Sequence, residues 1–373
     1  MIFTRYLYLK DEVEIALMLS LLNKKEDEAL FWAYELYYSG FIDDLIQLIF
    51  KIYYDFYACI NASFEAFLIK KVREIKESII DFKKNIAIII NNLLIRPINM
   101  DVFLLRLIYT VNINTNEELY IKNDKNILLD LLVREKYENI SQYIFKDSEL
   151  ESESKNYVEI QNTILDYFNS KGLKLNKEKI WKDFNITIIT YQNIPHILMS
   201  KIMHYYNALK NKKMGKSMYM MIEEEELKKY ETKNIEPAYK LLPLVTKYST
   251  NDTSDLNLFK LERYEYTIKN EYYYNWLYYA SFSPLWKYRI EKYGGIFDDD
   301  EKKVVFNDDD SMELFYENYG YEPDEQKKET QEKNIPEIKN DVTWQSFIEK
   351  YKTHKGLYKL EEDTVLFLKK MEY

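Results

Sequence analysis

Residues 27–41, DEALFWAYELYYSGF, carry their apolar positions at a helical period. Ala29, Leu30, Trp32, Ala33, Leu36 and Tyr37 recur every three or four residues, which lines them along a helix. Asp27 and Glu28 oppose the positive end of its dipole. Gly40 supplies the left-handed residue that commonly ends a helix, and Phe41 folds back over the last turn. Residues 11–22, DEVEIALMLSLL, predict a compact apolar helix before it. Residues 41–60 give the clearest amphipathic pattern, with Asp44, Gln47, Lys51 and Asp55 on one face. Leu45, Leu48, Ile49, Ile52 and Phe56 fall on the other. Such short connections set the three helices antiparallel and adjacent, as a helical-hairpin array or bundle. No fixed period marks a repeat family.

Residues 61–82 continue as a charged helix, with Lys70, Lys71, Arg73, Glu74, Lys76 and Glu77 spaced for pairing along it. Residues 85–94 read as a buried helix end, broken at Arg96-Pro97. Helices are expected over 101–110 and 126–138, with the Asn-rich VNINTNEE loop between them. An all-helical domain over 1–145 follows, then an acidic linker over 146–156. A middle helical region, 157–250, begins with Ile160, Ile164, Leu165 and Phe168 on one apolar side and a stop at Lys171-Gly172. Within it, 185–191 (NITIITY) reads as a short strand, and Pro195 starts a helix running to about Lys210.

The last region, 251–373, is aromatic and more irregular. Residues 256–279 predict a helix ending before Pro284. After Gly294-Gly295, Ile296-Phe297 and residues 304–306 predict a small β-hairpin. A helix over 310–319 closed by Gly320, a charged mobile stretch over 323–339, and an amphipathic helical pair capped by Thr343 complete the chain. The fold class is mainly α, with that hairpin as its β element.

Composition supports helices over a β-meander: the 373 residues include only 7 Gly and 7 Pro, leaving few positions for tight positive-φ turns. The same scarcity argues against glycine-built phosphate loops. Tyrosine is in excess, at 36 residues beside 19 Phe and 5 Trp. It reads as core and half-buried seam filler, or alternatively as partner-binding surface. A net charge of −10 weighs against a sequence-independent grip on nucleic-acid phosphates. One cysteine, Cys59, excludes an internal disulfide and fits a reducing compartment. Residues 86–111 are interrupted by Asn91, Asn92, Arg96, Pro97, Asn99, Asp101 and Arg106, which argues against a single membrane span. No signal-peptide pattern opens the chain, and a soluble cytoplasmic protein is expected.

Chemistry-bearing candidates are few. Met214-Gly215-Lys216-Ser217 holds the last triplet of a phosphate loop, but Lys210 stands where the first glycine belongs. His196 and His204 lie two turns apart on one helix, too far for one metal without further ligands. Residues 298–301 (DDDE) and 308–310 (DDD) hold enough carboxylates for a hard cation but lack the spacing of a calcium loop, and a solvated turn is the expectation. Lys201, Lys210, Lys212, Lys213 and Lys216, with Tyr205 and Tyr206, form the one basic cluster interleaved with aromatics. That is the pattern of a single-strand contact, or of a solvated helix end. No Ser/His/Asp set or Cys/His pair emerges, and neither a cofactor nor a metal is implied.

Residues 27–41, IYYDFYA at 52–58 and ASFSPLWKYRIEKYGG at 280–295 resemble segments of uncharacterised proteins from large cytoplasmic DNA viruses. The resemblance covers about a fifth of the chain through aromatic, structural motifs and offers no active site. It implies a virus-encoded protein acting in host cytoplasm or a viral factory. The leading expectation is a non-enzymatic scaffold that binds another protein, with a contact face around Trp32 and Tyr34, against core packing as the other reading of both residues. The alternatives are a replication or transcription factor touching nucleic acid through Lys201, Tyr205, Lys210, Lys212, Lys213 and Lys216, and an enzyme with an unfamiliar site.

Overall fold

The computed structural model describes residues 1–77, 82–110, 125–145, 157–176, 194–212, 215, 218–222, 224–228, 274–320, 347, 349–350 and 355–360. Among them the protein is mainly helical, with one small antiparallel sheet. The expectations for the 111–118 loop, the 146–156 linker, the 185–191 strand, helix 256–273 and residues 323–339 lie outside the described residues. So does most of the final helical pair.

The opening helices are α1 (Lys10–Leu22), α2 (Glu26–Tyr38) and α3 (Ile42–Phe56). α2 ends as its sequence requires. Gly40 sits at φ +92°, its N–H donates to the Tyr37 carbonyl, and Phe41 N–H donates to the Leu36 carbonyl. These are the two bonds of a Schellman stop. The glycine is needed twice, because a Cβ there would lie 2.6 Å from Pro284 Cβ.

A short 3₁₀ turn (Ala62–Phe64) leads into α4 (Glu65–Glu77), followed by α5 (Phe82–Leu94), α6 (Asp101–Thr110), α7 (Lys125–Val133), α8 (Tyr137–Phe145), α9 (Tyr157–Ser170), α10 (Ile194–Leu209) and the single turn α11 (Glu224–Leu227). Then come α12 (Trp276–Ala280), α13 (Pro284–Lys292), β1 (Gly295–Asp298), β2 (Lys303–Phe306) and α14 (Asp309–Tyr319). Two details depart from expectation. The helix expected over 126–138 stops at Val133, because Glu135 turns left-handed (φ 52°), and α8 then begins. Helix α13 was not anticipated, although Ser283 caps it by accepting the Trp286 N–H and Pro284 opens it.

Glycine scarcity also misleads about turns. Lys24, Glu135 and Asn211 take the left-handed position after α1, α7 and α10, with the same paired closing bonds as at Gly40. Each costs on the order of 1–2 kcal/mol of backbone strain that a glycine would avoid.

The chain divides into two compact units, each assembled from separated stretches. Unit 1 holds Met1–Leu48, Lys71–Ile95 and Met220–Thr343; unit 2 holds Ile49–Lys70, Arg96–Tyr219 and Trp344–Tyr373. They therefore do not follow the contiguous segments 1–145, 157–250 and 251–373. Residues far apart in sequence close each core, which a reading along the chain has no means of pairing.

In unit 1, α1, α2 and α5 pack together, while residues 1–9 loop back on themselves through a Phe3–Leu9 bridge. Phe3, Leu7 and Leu9 then share an aromatic cluster with Trp276, Tyr279, Trp286, Ile290, Phe315 and Tyr319. In unit 2, α6, α8 and α10 pack together, with α7 against α8 and α9. A buried Asp55–Arg106 pair (2.6 Å) and the stacked rings of Phe56 and Phe103 (4.9 Å) tie α3 to α6 there. Asp101, at the start of α6, accepts the backbone N–H groups of Leu357 and Tyr358. No helix among the described residues is long and apolar enough to cross a membrane.

Candidate functional site

The expected contact face around Trp32 and Tyr34 is corrected by burial. Both side chains are 1 % exposed. The Trp32 indole packs edge-on against Tyr8 (5.1 Å) and Phe31 (5.0 Å), and the Tyr34 hydroxyl donates to the Lys83 carbonyl at 2.7 Å. The helical spacing that placed Trp32 on the apolar side describes a core, and Tyr34, two residues on and on the other side of the helix, is buried as well.

The basic cluster is engaged within unit 2. Lys201 pairs with Glu65 at 2.9 Å, and Lys210 pairs with Glu135 while also reaching the Tyr137 hydroxyl at 3.1 Å. Lys212 donates to the Gly356 carbonyl at 3.1 Å. Tyr205 and Tyr206 are buried, and Tyr206 donates its hydroxyl to the Leu132 carbonyl. Lys213 and Lys216 lie outside the described residues. A base stacks on an exposed ring and its phosphates need unmatched cations. Tyr205 offers no exposed ring, and the charges of Lys201 and Lys210 already meet carboxylates.

The Gly215 of the phosphate-loop triplet serves a close approach. Its N–H donates to the Ile60 carbonyl at 2.6 Å, and a Cβ there would fall 1.8 Å from Asn61 Oδ1. His196 is buried edge-on against Phe145 (5.1 Å). His204 donates from Nδ1 to the Cys59 carbonyl (3.0 Å), and burial pulls its pKa below the ordinary histidine value.

The two acidic runs are separated by β2, whose four residues span roughly 13 Å, so one cation cannot reach both. Their local roles differ. Asp298 accepts the N–H groups of Asp300 and Glu301 and shapes the hairpin turn. Asp299 accepts the Tyr278 hydroxyl at 3.1 Å; burial and this neighbouring carboxylate raise the pKa of that phenol. Asp308 caps α14 through the Ser311 N–H at 2.7 Å, which lowers its own pKa.

What stands out on the surface lies around these runs. β1 and β2 pair in the register Gly295–Phe306, Ile296–Val305, Phe297–Val304 and Asp298–Lys303. Successive strand residues point to opposite faces. Phe297, Val304 and Phe306 turn inward onto the aromatic cluster, leaving Ile296 and Val305 side by side outward at 61 % and 54 % exposure. Among the described residues each strand pairs only with the other.

Thirteen large apolar side chains are exposed among the described residues. Seven of them (Tyr274, Phe282, Tyr288, Ile296, Val305, Met312 and Leu314) fall within 274–320, about a fifth of those residues. Scattered exposed apolar residues need no explanation, but such concentration in one module does. The sequence did not mark this face, since Ile296-Phe297 and Val304-Val305-Phe306 are consecutive apolar residues and only the strand register turns Ile296 and Val305 away from the core. In comparisons with known proteins, the chain matches no family model, no curated protein and no solved structure.

Proposed function

We propose that this chain is a non-enzymatic helical interaction protein that meets its partner through the hairpin module of residues 274–320. One observation carries the reading: seven of the thirteen exposed large apolar side chains lie in that module, on a rigid support. The support is the aromatic cluster beneath it, where Trp286, Phe315 and Ile290 are fully buried. A site built on packed elements holds its geometry better than one on a free loop. The engagement of Lys201 and Lys210 by carboxylates moves the reading away from nucleic acid. On the resemblance noted above, the setting would be the cytoplasm of an infected cell.

Site-directed photo-crosslinking tests this. A photoreactive residue at 296 or 305 is expected to give one discrete protein adduct in cells producing the chain. The same residue at Leu129, exposed in unit 2, should not give it. Adducts that are absent at 296 and 305, or identical at all three positions, would refute the reading.

A further inference from the structure

We infer that the partner element docking on the hairpin is an extended, lysine- or arginine-rich segment of another protein, an inference that rests on the interaction reading above. The sheet face supplies the first half of the argument. A two-stranded ribbon has two outer edges, and an added strand gains main-chain hydrogen bonds there while its alternate side chains lie on one face. On this hairpin the outward face offers Ile296 and Val305 beside Asp298 and Lys303. An added strand would therefore set an apolar side chain against the first pair, with its neighbours over the turn.

Charge supplies the second half. Residues 295–320 contain nine carboxylates and two lysines, an excess of seven negative charges in a chain whose total is −10. Lys303 is already paired with Glu301 at 2.9 Å. Asp300, Glu301, Asp309, Asp310, Glu313 and Glu317 are exposed around the apolar pair's module. That field steers in a cationic segment and repels an acidic one. It also disfavours a second copy of the same face, because both surfaces would bring the same sign. Nucleic acid is repelled on the same ground.

The test uses the full-length chain and two labelled octapeptides, one alternating lysine with valine and one alternating glutamate with valine, in fluorescence anisotropy. The lysine peptide is expected to bind, at least tenfold more weakly at 300 mM than at 50 mM salt, since screening shortens as salt rises. The glutamate peptide should not bind. An Ile296→Ser/Val305→Ser variant and an Asp300→Asn/Asp309→Asn/Asp310→Asn variant, each with unchanged circular dichroism, should both weaken the lysine peptide at least tenfold.

Equal binding of the two peptides, or loss in the serine variant but not in the asparagine variant, would overturn the basic partner while leaving the interaction face standing. Binding of neither peptide overturns it too, and the crosslinking at 296 and 305 then decides the face separately. Sedimentation of the chain as a dimer that Ile296→Ser dissolves would replace the basic segment with a second copy.

Discussion

Replacing Glu35 with alanine tests how the module that carries this face is held. Glu35 lies in α2 at 0 % exposure, and its carboxylate accepts three hydrogen bonds from the opening loop. The donors are Thr4 Oγ1 at 2.6 Å, Arg5 Nε at 2.7 Å and Tyr6 N at 3.0 Å. The Thr4 carbonyl in turn accepts the Trp286 indole N–H at 3.2 Å. One carboxylate therefore anchors the loop against which the hairpin module packs. Alanine removes that carboxylate and leaves the Arg5 guanidinium buried between the rings of Tyr6 (4.4 Å) and Tyr38 (4.6 Å).

Removing one partner of a buried ion pair costs about 3–5 kcal/mol, because the other charge stays desolvated. That is a large share of the roughly 5–15 kcal/mol that holds a typical domain together. Urea unfolding followed by tryptophan fluorescence suits the measurement, since Trp32, Trp276 and Trp286 are all buried in unit 1. Its transition should move to lower urea. Arg5→Met/Glu35→Gln supplies the control. It removes the buried charge but keeps an oxygen for Thr4 and Tyr6, so most of the loss seen in Glu35→Ala should return. A loss below about 1 kcal/mol for Glu35→Ala, or a double variant no better than the single, would refute the reasoning.

Two further outcomes follow from single positions. Gly40→Ala should destabilise unit 1 by more than Gly172→Ala destabilises unit 2. Both glycines have positive φ, costing about 1–2 kcal/mol for another residue, but only at Gly40 would the new Cβ meet Pro284. Equal losses in urea would remove the close-approach argument. For His204, burial lowers the folded-state pKa, so protonation favours the unfolded chain. Its contribution is complete above the unfolded value of about 6.5 and is lost as pH falls from there toward the folded value. Tm between pH 8 and pH 5 should therefore decline less in His204→Asn than in the parent chain; parallel curves would contradict this.

Local pattern made much of the fold legible. The period of residues 27–41 predicted α2 with its glycine stop, and the apolar pieces 296–297 and 304–306 after Gly294-Gly295 predicted the hairpin, though not which side of it faces out. Partner choice across the sequence was not legible. Arg5 meets Glu35 thirty residues away and Arg106 meets Asp55 fifty-one away, each fixed by which helices pack. The basic cluster shows the same limit. Lys201 and Lys210 read as a bare positive run because Glu65 and Glu135, which neutralise them, lie 136 and 75 residues distant.

The tyrosine surplus belongs to the interior. Tyr34, Tyr53 and Tyr206 are buried with their hydroxyls donated to the carbonyls of Lys83, Asn61 and Leu132. Each ring thus fills core volume while its polar end satisfies a main-chain acceptor. An aromatic-rich stretch of this kind marks an interior with fastened elements, and its richness says little about contacts outside. The informative aromatics are those that the same packing leaves out. Tyr274 and Tyr288 stand exposed beside a cluster that has already buried Trp276, Trp286 and Tyr319. With the cluster filled, Ile296 and Val305 are left outside the module's own packing, which is why the proposed contact is sought there and no longer at Trp32 and Tyr34.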